Sequence, residues 1–348
     1  MGSAAKVEGD RQPGARGQAA RRTALASGIV AAGAVVLGLA LFLSNGALHP
    51  LALAGVTFAT LTALIALLLQ RGERGERGEA GAGAGTRWTL GILWVGIAAS
   101  FAIDATYLPG VYVEPAGLGW FRPVLGAFGV LVATHAVEAP PWLARARFAL
   151  ELVAAAVLGG IVIEAAPAPA IDVWFYERMG ATALLGGVNP YAIAYPNIYG
   201  PLTSFVSGAL LSPDRTLVLA NPYSPLTLLL VAPATALLSE PRWTMLAAVL
   251  FSAWAVRRLG KGSGVASLAA VFMLVQPRGL FVIEQAWTEP LVLASILALA
   301  LLVVRRAEAP APSGASGRVK SADWLPVALV GALALGTKQY SPLVLLPL

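Results

Sequence analysis

The chain has 348 residues, of which 57% are hydrophobic and only 12% charged, with a net charge of +6. So little polar surface cannot cover so much apolar volume, which excludes an ordinary soluble globule and makes the chain a multi-pass membrane protein. The absence of cysteine excludes disulfides, thiolate metal sites and cysteine nucleophiles.

Residues 1–22 are rich in Gly, Ala, Gln and Arg and are expected to form a disordered basic cytoplasmic tail. The apolar run that follows lacks a small-residue cleavage site, so it is expected to stay as a membrane helix rather than be removed as a signal peptide. Runs at 23–43, 47–69, 88–108 and 121–138 give four N-terminal transmembrane helices, with a low-complexity Gly, Glu and Arg loop at 70–87. A second block, 139–348, adds spans at 148–165, 242–256, 264–281, 289–304 and 325–345. The predicted fold class is an all-α polytopic integral membrane protein of about nine transmembrane helices, with a long extracytoplasmic loop and a re-entrant or juxtamembrane helix.

Lys and Arg placement orients these spans, because cytoplasmic loops hold the excess of positive charge. With the N-terminus inside, only Arg122, Arg178, Arg215, Arg242, Arg278 and Lys338, of 24 Lys and Arg, fall outside or at the outer edge. Counting 225–238 as a crossing would move Arg257, Arg258 and Lys261 outside. This stretch of about 14 residues is therefore expected to return to the outer face. Charge scattered over short connections also argues against a nucleic-acid partner. The two histidines, His49 and His135, lie far apart, so no metal site is expected, and a divalent ion is only weakly supported by scattered carboxylates.

Chemistry is expected where polar residues survive. The longest polar stretch holds Asp172 in IDVWFYERMG, followed by Glu177 and Arg178. One reading makes Asp172 a general base or substrate clamp at the membrane surface. The other makes the loop a solvated one whose aromatics form an interfacial belt and whose charges pair with each other. Asn189, Tyr191, Tyr195, Tyr199 and Tyr223 lie in GGVNPY, YPNIYGPL and NPYSPL, where prolines enforce turns and tyrosines offer hydroxyls and flat faces suited to a sugar. Tight turns packed with tyrosine explain the same motifs. A third island, QPRGLFVIEQAWTEP, carries Arg278, Glu284, Gln285 and Glu289, whose charges are costly at membrane depth unless paired or liganding. The last, TKQY, puts Lys338 at the outer end of the ninth span, where its ammonium can hold a lipid phosphate or snorkel.

Together, DVWFYERMGATALLGGVNPY, the YSPLTLLLVAP re-entry, the later acidic island and Lys338 after a Gly-ended helix resemble GT-C superfamily glycosyltransferases. The pattern looks most like the polyprenyl-phosphate-sugar-dependent transferases of glycosyltransferase family 87 and their relatives, over roughly residues 172–348. The resemblance implies transfer of a sugar, mannose being one candidate, from a polyprenyl-phosphate carrier to a lipid, glycan or protein acceptor. It implies Asp172 as the catalytic acid/base residue and Lys338, with Arg278, near the carrier phosphate. The remaining named residues, Glu177, Arg178, Asn189, Tyr191, Tyr195, Tyr199, Tyr223, Glu284, Gln285 and Glu289, are expected to line the substrate site. No cofactor is expected to be required, and the partners are the sugar donor, the acceptor and membrane lipids. The expected location is a bacterial inner or plasma membrane. The chain stops at Leu348, where such relatives continue, so it is expected to be C-terminally incomplete. A transporter or lipid flippase and a non-catalytic membrane scaffold are the alternatives.

Overall fold

The computed structural model describes residues 13–45, 47–71, 83–201, 206–308 and 324–338. Twelve α-helices dominate it: α1 (Pro13–Ser44), α2 (Pro50–Arg71), α3 (Gly83–Thr106), α4 (Phe121–Ala133), α5 (Pro141–Ala165), α6 (Asp172–Leu185), α7 (Pro225–Leu238), α8 (Arg242–Leu259), α9 (Gly264–Val275), α10 (Gly279–Glu284), α11 (Glu289–Glu308) and α12 (Leu325–Thr337). The only sheet among the described residues is a two-residue antiparallel pairing of β1 (Tyr195–Pro196) with β2 (Leu217–Val218). The chain is thus an all-α membrane protein. It divides into two compact units, Met1–Ala99 and Ser100–Leu348.

Among the described residues, six segments are long and apolar enough to cross a membrane: Arg22–Ser44, Pro50–Leu69, Thr86–Thr106, Pro115–Ala136, Pro141–Ala165 and Glu289–Glu308. The other three of the nine expected crossings fall on α8, on α9 with α10, and on α12. Helix α8 carries Arg242, Arg257 and Arg258, which reduce its apolar character. Helix α9 stops after 12 residues because Gln276 precedes Pro277 and takes the extended backbone (φ −51°, ψ 144°) that a following proline imposes. Helix α12 ends at Thr337, and the rest of the 325–345 segment lies mostly outside the described residues. The expected disordered tail also needs revision, since α1 already begins at Pro13. Most of the 70–87 loop lies outside the described residues, and α3 starts within it at Gly83.

In the first unit α1 and α2 pack closely through small residues. A Cβ built on Gly33 would meet Thr62 Oγ1 at 2.2 Å, and one on Gly55 would meet Ala40 Cβ at 3.0 Å. Between two helices in lipid, such contact surfaces supply the van der Waals attraction that water-driven burial cannot.

In the second unit α5, α8, α9 and α11 form the central helices. Gly159 of α5 admits Leu246 of α8, whose Cδ1 lies 2.5 Å from where a glycine Cβ would be. Buried Ala181, Val231, Met245, Ala248 and Leu291 join α6, α7, α8 and α11 in one apolar cluster. Helix α7 starts at Pro225 after Ser224, whose hydroxyl accepts from the Thr227 N–H. Both ends of α7 are tied to the C-termini of other helices. The Ser224 hydroxyl donates to the Gly336 carbonyl at 2.6 Å and the Thr227 hydroxyl to the Thr337 carbonyl at 2.9 Å, at the C-terminus of α12. Just past the other end, Glu240 holds Arg242, which donates to the Ile163 carbonyl at the C-terminus of α5.

Candidate functional site

Asp172 is the first residue of α6. Its Oδ1 accepts from the Val173 N–H at 2.8 Å, and a carboxylate here is favoured by the helix dipole and by the unpaired N–H groups of the first turn. The next turn is fixed from below. Trp174 Nε1 donates to both oxygens of Glu240 at 3.2 Å, and Glu240 in turn accepts from Arg242 Nε and Nη2 at 2.8 Å each. Arg242 is fully buried, and this two-pronged pair, together with the Ile163 and Glu284 carbonyls, satisfies most of its donors. Sequence reasoning counted Arg242 only as a topology charge and missed Glu240. Its signal was there: opposite charges two residues apart around Pro241, between apolar runs.

The loop after α6 is built on two copies of one turn. In each NPY motif the asparagine Oδ1 accepts from the N–H of the tyrosine two residues on: Asn189 from Tyr191 at 3.0 Å and Asn221 from Tyr223 at 2.9 Å. The copies are stitched together, since the Tyr191 hydroxyl donates to the Tyr223 carbonyl at 2.7 Å. Tyr195 is fully buried; its hydroxyl donates to the Pro190 carbonyl and accepts from Asn221 Nδ2. Gly180 lets this cluster sit against α6, because a Cβ there would meet Asn221 Nδ2 at 2.9 Å and the Tyr195 hydroxyl at 3.3 Å. Asn189, Tyr191 and Tyr195 therefore shape the loop itself. Tyr199 and Tyr223 instead meet the acid. The Tyr199 hydroxyl hydrogen-bonds to Asp172, and both phenols are pushed upward, first by burial and then by the negative charge of Asp172. Tyr176 is pushed up to about 12 by burial and by the same carboxylate.

The 276–290 island closes over the same helix end. Ala286, in the left-handed region at φ 54°, is buried with Val173 and Trp174, and Trp287 and Tyr223 pack beside them. A non-glycine residue held there is costly and is kept by the packing around it. Within the island, Glu284 and Gln285 are both buried and turned inward. The Glu284 carboxylate accepts from the backbone N–H groups of Val111, at 2.8 Å, and Tyr112, and from Gln285 Nε2 at 2.9 Å. It clamps the segment that follows α3 so closely that a Cβ on Gly110 would lie 2.4 Å from it. Arg278 donates to the Leu108 carbonyl at 2.9 Å and lies over the Phe281 ring; burial lowers its affinity for the proton, against the charges of Asp104 and Glu284. Glu284, Gln285 and Arg278 thus hold backbone.

Lys338, one residue beyond α12, reaches the first residue of α11 and forms an ion pair with Glu289. Glu177 and Arg178 do not pair. Arg178 stacks on Trp174, 4.8 Å from the ring centre, while Glu177 is fully buried with both carboxyl oxygens lacking a hydrogen-bond partner among the described residues. Burial raises the Glu177 carboxyl to about 8, against the charge of Lys338. The four polar islands of the sequence thus contribute a carboxylate at a helix N-terminus, a set of tyrosines and the two partners of an ion pair. Such a constellation can move a proton and hold an anion. Comparison with protein-family models, curated proteins and solved structures gives no match.

Proposed function

We propose that this chain is a membrane glycosyltransferase of GT-C type, with Asp172 as the base that deprotonates or orients the acceptor hydroxyl. The reading is carried by the meeting of Asp172 with Tyr199 and Tyr223 at the head of α6, where Tyr223 also senses Glu289, the partner of Lys338. The acceptor oxygen bonds to the anomeric carbon as its proton passes to Asp172, and the bond from that carbon to the carrier phosphate breaks. The phosphate leaves carrying the negative charge, and the ammonium of Lys338 faces it. This chemistry requires no cofactor. The donor is a polyprenyl-phosphate sugar, mannose being one candidate, and the acceptor a lipid, glycan or protein. The site faces away from the cytoplasm in a bacterial inner or plasma membrane, and α7, at 14 residues, returns to that face.

The purified protein, incubated with labelled polyprenyl-phosphate sugars, should release or transfer the label. Asp172→Asn removes the charge at constant size and should cost on the order of 100-fold or more in rate, as general-base contributions typically run 10² to 10⁴-fold. Full activity in the Asn variant removes Asp172 from the mechanism. A second reading, a transporter, draws on the break between α9 and α10, where Arg278 takes a left-handed backbone at φ 68°. It calls for uptake or flipping of a sugar lipid without transfer.

A further inference from the structure

Glu177 poses a problem of charge. It is fully buried, neither of its oxygens has a partner among the described residues, and Lys338 lies close enough to act on it electrostatically. An ionised carboxylate sealed from water costs several kcal/mol unless it is paired, so a charged Glu177 would claim the nearest ammonium. Lys338 pairs instead with Glu289, whose side chain is 46% exposed. That partner choice is what a proton on Glu177 produces.

We propose that Glu177 is a proton-bearing carboxyl that leaves the charge of Lys338 to the phosphate of the lipid carrier, so that the site binds the anion and keeps the proton together. The inference rests on the reading of Lys338 as the phosphate residue and gives that site a proton requirement. An arriving phosphate competes with the half-exposed Glu289 for Lys338. If Glu177 loses its proton, a buried negative charge neutralises Lys338 and repels the ligand. The groups around Glu177 leave the window near neutrality to it. Tyr191, Tyr195 and Tyr223 face it from the loop and are all pushed upward by burial. Lys338 faces it from the end of α12, and α7, which lies along α6, brings no titratable side chain. On α6 itself Tyr176 is raised and Arg178 is turned onto Trp174, while Asp172 lies at the head of the helix and Glu289 is paired with Lys338.

The test measures binding of a polyprenyl monophosphate to the full chain in phosphatidylcholine nanodiscs between pH 7 and 9, with inorganic phosphate as a parallel ligand. The second ionisation of a phosphate monoester, near pH 6, lies below this range. With the Glu177 carboxyl at about 8, wild-type affinity should fall about twofold from pH 7 to 8 and roughly fivefold more from pH 8 to 9. Glu177→Gln, a permanently neutral isostere, should bind with no such slope. Binding at pH 9 in weak buffer should also draw protons from solution, a readout that needs only the wild-type chain. A slope with the lipid alone marks a headgroup presented from the membrane, and a slope with both marks phosphate recognition as such; either supports the proposal. Flat wild-type affinity without proton uptake overturns it, as does a slope that persists in Glu177→Gln. Lys338→Gln separates the two levels. Undiminished binding in that variant removes the phosphate role of Lys338 and this inference with it, whereas lost binding beside a flat wild-type profile removes the inference alone.

Discussion

At the scale of single residues, what a buried carboxylate does depends on its partners. Glu284 and Glu177 are equally buried, yet Glu284 accepts two backbone N–H groups and an amide while Glu177 accepts nothing among the described residues. The first is a structural clamp. Glu284→Ala removes the acceptor of the Val111 and Tyr112 N–H groups and of the buried Gln285 amide, and a buried group left unpaired costs about 1–3 kcal/mol. The variant should therefore melt well below wild type in detergent, and wild-type melting would show that the clamp contributes little. His135 and Glu151 form a further buried contact, with Nε2 and Oε1 2.7 Å apart, across 16 residues. The sequence could not reveal it, because nothing in the spacing of a lone histidine and a lone glutamate marks them as neighbours.

At the scale of elements, small residues decide which helices can approach. Gly159 of α5 and Leu246 of α8 interlock, with a glycine Cβ only 2.5 Å from the leucine Cδ1. Gly159→Leu must push α8 away or force Leu246 out of its rotamer, at a cost of about 1–3 kcal/mol for overpacking. Because Arg242 at the head of α8 anchors Glu240 and, through it, Trp174, the displacement should reach the head of α6. The expected outcome is a lower melting temperature together with weaker donor binding. Loss of melting temperature with donor affinity intact would uncouple α8 from the site. The hydroxyls of Ser224 and Thr227 tie α7 to α12, whose last carbonyls would otherwise lack a donor.

At the scale of the whole molecule, orientation is the most direct property to measure. The absence of cysteine makes single-cysteine labelling clean. Gly78→Cys, in the loop expected to be cytoplasmic, should resist an impermeant reagent in intact cells. Gly208→Cys, which is exposed and has no atom within 4 Å of its added Cβ, should react. The reverse pattern would invert the protein and place Asp172 on the cytoplasmic side.

Composition and run length alone determined that this is a helical, multi-pass membrane protein, because hydrocarbon tolerates few charges and every backbone group must be satisfied within its own segment. The same signal leaves the exact number of spans open, since six helices among the described residues are long and apolar enough to cross. It averages over a window and does not see that Pro277 ends α9, or that three arginines bracket α8. The polar islands were legible as islands, since charge stands out against an apolar background. Their division of labour was not. The tyrosines of the loop look alike in sequence, but Tyr199 hydrogen-bonds to Asp172 and Tyr223 lies within its electrostatic reach, while Tyr195 closes the loop through the Pro190 carbonyl. Glu177, beside Arg178, reads as half of a surface pair, yet the turn of α6 buries one and lays the other on Trp174. Partner choice among charges depends on which helix ends meet, and only tertiary packing brings Lys338 of α12 to Glu289 of α11, more than forty residues away.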